Sequence, residues 1–105
     1  MENISLLREL RGGINRRFGD IVDRIIMFGS RASGAARDYS DYDVLIILKN
    51  RYDWRREDEI RDVCYDLCIE NDIVIDAKFI SKDELRTLKG RQPFILNAME
   101  TGISI

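Results

Sequence analysis

The stretch of sequence that decides the fold is residues 27–48, which reads MFGSRASGAARDYSDYDVLIIL. Its first part completes a short apolar run, residues 24–28, which ends at Gly29 and has the length of a buried strand. Its last part, residues 43–48, is an apolar run rich in β-branched side chains, which favour strands. The residues between the two runs are mainly serine, glycine, alanine and aspartate, which indicates a loop that can include one helical turn. We therefore predict two strands of one small sheet, joined by a polar loop.

Regular patterns continue on both sides of this stretch. The further predicted elements are a helix over residues 2–17, a helix over 54–69, a strand over 73–80, a helix capped by Ser81 and Glu84 in a capping box, and a final helix opened by Pro93. Gly12 and Gly13 should weaken the last turn of the first helix or end it early. The order of elements predicts one domain, residues 1–105, with an α+β or α/β sheet of three or four strands and helices packed on it.

The composition excludes several classes of function. A net charge of −2 argues against general nucleic-acid binding, because proteins that bind phosphate backbones usually carry a clear basic excess. The longest apolar run, residues 44–48, is too short to cross a bilayer, and the sequence opens without a signal-peptide pattern, so we expect a cytoplasmic protein. The chain has no histidine, which removes histidine-based nucleophilic sites, general bases and metal ligands. Catalysis must therefore depend on carboxylates, and carboxylates suggest a hard cation.

Two groups of side chains have a simple structural interpretation. Cys64 and Cys68 lie four residues apart on one face of a predicted helix. Without histidine or a second cysteine pair, they indicate small buried side chains rather than a zinc site. Seven arginines fall between positions 8 and 37. A solvated helical face is the ordinary interpretation of such a group, and a surface that faces an anion or a partner is the alternative.

Asp41 and Asp43 are the first candidates for chemistry. Side chains at positions i and i+2 leave a strand on the same face, so both carboxylates can point at one site. Two neighbouring negative charges repel each other unless a cation neutralises them. Mg²⁺ suits the pair because it takes oxygen ligands and keeps positions open for phosphate oxygens. Taken alone, however, an Asp-x-Asp sequence before a strand more often belongs to a turn or a cap.

Gly29, Ser30 and Asp76 add to this aspartate pair. A glycine at a strand end lets the backbone approach a ligand closely, Ser30 offers a hydroxyl, and the following turn offers N–H groups to a phosphate. The alternative is an ordinary strand end with a serine cap. Asp76 interrupts an apolar strand, where an unpaired carboxylate is costly to bury. Either its face of the strand is exposed, as Lys78 on the same face suggests, or it joins the aspartate pair, shares a metal and accepts a proton.

The combined pattern resembles a known family. The chain contains Gly29-Ser30, ten intervening residues, Asp41-Tyr42-Asp43 before an apolar strand, and Asp76 in a later strand. This arrangement resembles the signature of the polymerase-beta nucleotidyltransferase superfamily. Within that superfamily the chain most resembles the minimal nucleotidyltransferases, over essentially its whole length. The resemblance implies an α+β fold with a small mixed β-sheet, a polymerase-beta-like nucleotidyltransferase core. It also implies these site residues: Gly29, Ser30 and Arg31 for the nucleotide, and Asp41, Asp43 and Asp76 for Mg²⁺ and catalysis.

The resemblance further implies an activity and a partner. Minimal nucleotidyltransferases use ATP and Mg²⁺ to attach AMP to a tyrosine of a cognate HEPN-domain RNase toxin, and so act as the antitoxin of a type VII-like toxin–antitoxin pair. We accordingly expect an enzyme that forms a hetero-oligomer with such a toxin. Two alternatives stay open. One is a stand-alone nucleotidyltransferase for a small-molecule acceptor, which usually has an added helical domain, and the other is a non-catalytic binding antitoxin, which needs no complete set of carboxylates.

The C-terminal segment, residues 94–105, is a candidate for the contact with a partner. It contains six large apolar side chains: Phe94, Ile95, Leu96, Met99, Ile103 and Ile105. Some of them can form an exposed apolar patch of the kind that marks a binding surface, whereas the alternative buries them in the protein's own core. We predict that this segment, or the arginine-bearing first helix, contacts a larger partner.

Overall fold

The computed structural model describes residues 2–34 and 41–105, so part of the predicted polar loop, residues 35–40, lies outside the described residues. Its elements are, in chain order, α1 (Asn3–Phe18), β1 (Val22–Phe28), α2 (Ser30–Ser33), β2 (Tyr42–Leu48), α3 (Trp54–Asn71), β3 (Ile75–Ser81), two 3-10 turns (Glu84–Arg86 and Leu88–Arg91), α4 (Pro93–Thr101) and β4 (Ile103–Ser104). The predicted order is confirmed up to β3 and again at α4. Within the described ranges no helix has the length and apolarity needed to cross a bilayer.

The strands form one mixed sheet in the order β3-β2-β1-β4. Strand β1 runs antiparallel to β2 and to β4, whereas β2 runs parallel to β3. Helices α1 and α3 cover one face, where their apolar side chains share a buried cluster with Val44 and Ile46. Helix α4 packs on the other face, where Ile95 and Ala98 contact a second cluster that includes Leu45. The predicted α+β architecture, a small mixed sheet with helices packed on it, is therefore confirmed.

Helix α1 runs through Gly12 and Gly13 to Phe18, so the glycine pair does not end it early. The reason is a tertiary contact, since a β-carbon at Gly13 would lie 2.8 Å from Cγ1 of Val63 on α3. Glycine at this position lets the two helices approach closely. Burial of the neighbouring Ile14 offsets the weak helix propensity of glycine.

Ser81 and Glu84 form the predicted capping box. The Glu84 N–H donates to Ser81 Oγ at 3.3 Å, and the Ser81 N–H donates to Glu84 Oε1 at 3.1 Å. Lys89 Nζ donates to the Glu84 carboxylate at 2.9 Å, and this bond lowers the pKa of Glu84. The predicted α-helix after Ser81 is wrong, however, because the residues that follow the box form two 3-10 turns.

The C-terminal segment divides between core and surface. Ile95 is buried, and the ring of Phe94 lies 6.4 Å from the ring of Phe28. Leu96 and Met99 stay 46% and 41% exposed. The segment thus contributes to the core and also presents two apolar side chains to solvent, and its contact with a partner stays a prediction.

Arg11 fastens β4 to the rest of the sheet. Its Nη1 donates to the main-chain oxygen of Ile105 at 2.9 Å, and its Nη2 donates to the main-chain oxygen of Val22 at 3.0 Å. Ile105 and Ile25 also exchange main-chain hydrogen bonds at 3.0 Å. Arg11 therefore stabilises the fold. The interpretation of the seven arginines as a solvated helical face is wrong for Arg11.

We expect Arg11→Met to lower the free energy of unfolding by about 2 kcal/mol, because it removes charge-assisted hydrogen bonds and keeps most of the aliphatic stem. Arg8→Met is the matched control, since Arg8 is exposed on the same helix, and it should change the stability little. Urea unfolding measures both variants. Equal stability of the two would contradict the role of Arg11 at β4.

Candidate active site

The site begins with a row of three residues across the sheet. Asp43 pairs with Phe28 on the antiparallel neighbour β1 and with Asp76 on the parallel neighbour β3. Residues in register on adjacent strands project from the same face, and adjacent strands lie about 4.8 Å apart. Because Val44 belongs to the core under α1 and α3, Asp43 and Asp76 project from the opposite face, which also carries α4. The fold thus brings the carboxylates of two strands side by side.

Asp41 lies at the entrance to β2 and is exposed. The Tyr42 N–H donates to the Val74 carbonyl at 2.8 Å, which extends the pairing of β2 and β3 to the residue between the two aspartates. Tyr42 is only 3% exposed and belongs to the main core. Since neighbours in a strand point to opposite faces, burial of Tyr42 directs Asp41 and Asp43 to the face that carries Asp76.

Gly29 lies against the carboxylate of Asp43. Its φ of 74° is in the left-handed region, which glycine adopts without strain and other residues rarely adopt. A β-carbon at this position would also lie 2.5 Å from Asp43 Oδ2, far inside van der Waals contact. Glycine is therefore required twice, once for the turn after β1 and once to leave space for the Asp43 carboxylate.

Ser30 and Arg31, which the resemblance assigns to the nucleotide, open the single helical turn α2 directly after Gly29. Asn3 Nδ2 on α1 donates to the Arg31 carbonyl at 3.1 Å. The Arg31 guanidinium lies 4.3 Å from the ring centre of Tyr42, the residue between the two aspartates. Contacts with α1 and β2 thereby hold this turn next to the carboxylates.

The charges of the site act most strongly on Asp43. Partial burial raises the pKa of its carboxyl group, the negative charges of Asp76 and Asp41 raise it further, and Lys78 opposes them. Lys78 Nζ lies 3.5 Å from Asp76 Oδ1, and both side chains are nearly half exposed. The face of β3 that carries Asp76 is therefore open to solvent beside Lys78, and Asp76 also adjoins Asp43. Its part in metal binding and proton transfer stays a prediction.

The donor set fits Mg²⁺ by its chemistry, since this ion takes carboxylate oxygens and keeps positions open for phosphate. Burial and then the negative charges of Asp76 and Asp41 raise the pKa of Asp43, and a divalent cation would neutralise this group of charges. The described residues contain no group of three carboxylate or cysteine side chains already gathered closely enough to hold a metal ion. Asp43 and Asp76, in register on adjacent strands, are the pre-arranged pair, and we predict that Asp41 completes the donor set when metal binds.

Removing the partly buried charge of Asp43 should stabilise the metal-free protein. We expect Asp43→Asn to raise the melting temperature at pH 7 in EDTA, because a raised pKa means that the ionised carboxylate disfavours the folded state. The gain should disappear near about pH 3, where the carboxyl group is protonated in both the folded and the unfolded state. Asp20→Asn is the control, since Asp20 is paired with Lys49 and its loss should not stabilise. A lower melting temperature for Asp43→Asn at pH 7 would contradict a destabilising charge at Asp43.

Sequence reasoning missed two side chains that border the site. Arg61 and Tyr65 on α3 line a cavity of about 240 Å³ together with Asp76 and Lys78. Arg61 and Lys78 also line a second cavity of about 320 Å³, which reaches Phe94 on α4. Helical spacing places Arg61 and Tyr65 on one face of α3. Their proximity to Asp76 depends on how α3 packs against β3, which no local pattern reveals.

Cys64 is buried, as predicted, and burial raises the pKa of its thiol to about 12. Cys68 is only half-buried, and its Sγ accepts a hydrogen bond from the Ile75 N–H at 3.3 Å. Both thiols therefore help to pack α3 against the start of β3.

Comparison with known proteins identifies relatives over most of the chain. The family model for the nucleotidyltransferase domain matches residues 7–98. Three proteins of Methanocaldococcus jannaschii, each named as a candidate protein adenylyltransferase, are also similar. One is 34% identical over 103 residues, which cover 96% of this chain and 69% of the relative. Another is 32% identical over 87 residues, covering 83% and 87%, and a third is 28% identical over 102 residues, covering 97% and 96%.

A crystal structure of a toxin–antitoxin with AMP-PNP has a similar fold. The two chains are 18% identical and superpose with a TM-score of 0.61, and the alignment covers 99% of this chain and 72% of that one. A likeness at this identity establishes the fold alone, and it agrees with the nucleotidyltransferase core expected from the sequence.

Proposed function

This chain belongs to the nucleotidyltransferase domain family, and on that premise we propose that it attaches AMP from ATP to a hydroxyl group of a partner protein. The observation that carries the proposal is the pair Asp43 and Asp76, in register on adjacent strands with Gly29 against the Asp43 carboxylate. Nucleotide transfer needs such a combination, because carboxylates can hold a metal beside a turn where the phosphate chain can approach the backbone.

The proposed reaction is a single displacement at phosphorus. The acceptor hydroxyl oxygen attacks the α-phosphorus of ATP, and a new P–O bond forms while the bond to the oxygen that bridges to the β-phosphate breaks. Pyrophosphate leaves, and Asp76 accepts the hydroxyl proton. Asp41, Asp43 and Asp76 would hold Mg²⁺, which would neutralise charge on the phosphate oxygens. Gly29 admits the phosphate chain, Ser30 donates its hydroxyl to it, and Arg31 adds positive charge.

Exposure of the carboxylates favours a protein acceptor. Asp41 is exposed and the Asp76 side chain is 45% exposed, so a macromolecular surface can reach them. The relatives from M. jannaschii are named for the adenylylation of proteins, and the solved structure of similar fold is a toxin–antitoxin. We infer that the acceptor is a tyrosine of a HEPN-domain toxin, and that this chain is the antitoxin of the pair.

Incubation with the protein encoded beside its gene and with each α-labelled NTP tests the proposal. We expect label from ATP on a tyrosine of that protein with Mg²⁺ and none with EDTA. No label should come from γ-labelled ATP, since pyrophosphate departs. Binding of the two proteins without transfer from any NTP would contradict the enzyme and favour a non-catalytic antitoxin. Transfer to a small molecule alone would favour the stand-alone enzyme.

A further inference from the structure

An exposed apolar surface lies beside the carboxylates. Tyr65 and Ile69 are each 66% exposed and stand about one turn apart on α3, so their side chains are neighbours. Val74, directly before β3, is 59% exposed. We call the neighbouring pair Tyr65 and Ile69 the α3 patch. Apolar side chains grouped on a surface are costly to hydrate, and such groups mark contacts with other proteins.

The α3 patch borders the candidate active site. Tyr65 lines the same cavity of about 240 Å³ as Asp76. The exposed Val74 lies directly before β3, and its carbonyl accepts the N–H of Tyr42, the residue between Asp41 and Asp43, at 2.8 Å. Asp76 projects from the face of the sheet opposite α3, and β3 is an edge strand. A protein seated on the patch therefore reaches the carboxylates around this one strand.

The chain segment that carries the α3 patch is acidic, although Arg61 and Lys78 line the cavity beside Tyr65. Between Arg61 and Lys78 the chain has no basic residue and five acidic ones: Asp62, Asp66, Glu70, Asp72 and Asp76. The last turn of α3 has no basic residue, although the C-terminal end of a helix favours cations. Among the described residues, Asp62, Asp66 and Glu70 take part in no ion pair. Acidic side chains at the C-terminal end of a helix lower its stability, and a basic surface that covers them would remove this unfavourable charge.

We infer that the α3 patch is the docking surface for the acceptor protein of the transfer reaction, an inference that rests on the proposed function. The docking face of the acceptor carries an apolar side chain surrounded by lysine or arginine. The patch supplies the apolar contact, the acids of α3 select the charge, and the cavity at Asp76 receives the segment that bears the hydroxyl.

Other occupants fit the α3 patch less well. A second copy of the chain in a twofold contact would place the acids of α3 against themselves. A nucleic acid would meet the same repulsion through its phosphates.

The C-terminal segment is a weaker candidate for the docking surface. Its apolar side chains Leu96 and Met99 are less exposed than the patch, and they do not line the cavity that contains Asp76.

The test compares Ile69→Glu with Leu88→Glu. Leu88 is 82% exposed on a 3-10 turn, so the control makes the same change of charge and loses a similar apolar side chain outside the patch. The probe is the unmodified protein encoded beside this chain's gene, and calorimetry measures its Kd. We expect Ile69→Glu to raise the Kd roughly tenfold or more, and Asp66→Lys to raise it as well. Leu88→Glu should bind as the wild type does, and all variants should bind Mg·ATP equally.

Equal Kd values for Ile69→Glu and Leu88→Glu would overturn the docking surface. So would failure of the wild type to bind the probe, or self-association that Ile69→Glu abolishes. The proposed function fails by a different result, which is binding that depends on the patch with no AMP transferred. AMP transfer with the same KM for Ile69→Glu and Leu88→Glu would refute the docking surface and leave the proposed function standing.

Discussion

We expect Asp43→Asn to lower kcat/KM for AMP transfer by about 10³-fold or more, the scale on which a central catalytic group acts. The reason is that asparagine keeps the shape of the side chain and removes the charge that a divalent cation requires. The variant should stay folded, because Asp43 is only partly buried. Its ionised carboxylate also lowers the stability of the folded state, as its raised pKa indicates. Initial rates of label transfer at saturating Mg²⁺ measure the loss.

The control for this variant is Asp20→Asn. Asp20 precedes β1 and bonds to Lys49 after β2, at the end of these strands away from Asp43. It should therefore keep wild-type transfer, whereas Asp41→Asn should lose it as Asp43→Asn does. A rate for Asp43→Asn close to that of Asp20→Asn would remove Asp43 from the metal site.

Gly29→Ala should lower transfer by about 10²-fold or more, the scale on which a misplaced catalytic group acts. The added β-carbon would lie 2.5 Å from Asp43 Oδ2 and would displace the carboxylate from its position beside Asp76. The same carbon would also narrow the approach of the phosphate chain to the backbone. Ser30→Ala should cost less, because a lost hydrogen bond is worth on the order of 1 kcal/mol. Rates of transfer and affinities for ATP measure both variants.

Gly19→Ala separates displacement of Asp43 from backbone strain. Gly19 has a φ of 82°, close to that of Gly29, but a β-carbon added there would meet nothing within 4 Å. It should therefore show the stability loss of an alanine held in a backbone conformation that only glycine adopts readily, about 1–3 kcal/mol, with wild-type transfer. If Gly29→Ala keeps wild-type transfer and loses only the stability that Gly19→Ala loses, the contact with Asp43 has no part in catalysis.

Local patterns are enough to predict most of the fold. They place strand β2 and helix α3 within two residues at each end. The reason is that the β-branched run and the apolar repeat lie within the segments that form these elements. Strand β4 has only two residues, and it is a strand because it pairs with β1. The close approach of α1 to α3 at Gly13 likewise depends on Val63, fifty residues away. Features that arise from distant contacts leave no local pattern to find.

The residues of the candidate site can be predicted from the sequence, whereas their positions relative to one another can be predicted only in part. The spacing of Asp41 and Asp43 places both on one face, because side chains alternate along a strand. The position of Asp76 beside Asp43 depends on the parallel register of β2 and β3, and a shift by one residue would turn Asp76 to the other face. The contact between Gly29 and the Asp43 carboxylate and the proximity of Tyr65 to Asp76 follow from packing in the same way.

Intact-mass spectrometry of the partner protein tests the central claim most directly. The neighbour-encoded protein is incubated with ATP, Mg²⁺ and either the wild type or the double variant Asp41→Asn/Asp43→Asn. We predict that the wild type increases the mass of the partner by one or more AMP units, with release of an equal number of pyrophosphates, and that the double variant leaves the mass unchanged. An equal increase with the double variant would contradict the assignment of these aspartates, and no increase with the wild type would contradict the transfer of AMP to this protein.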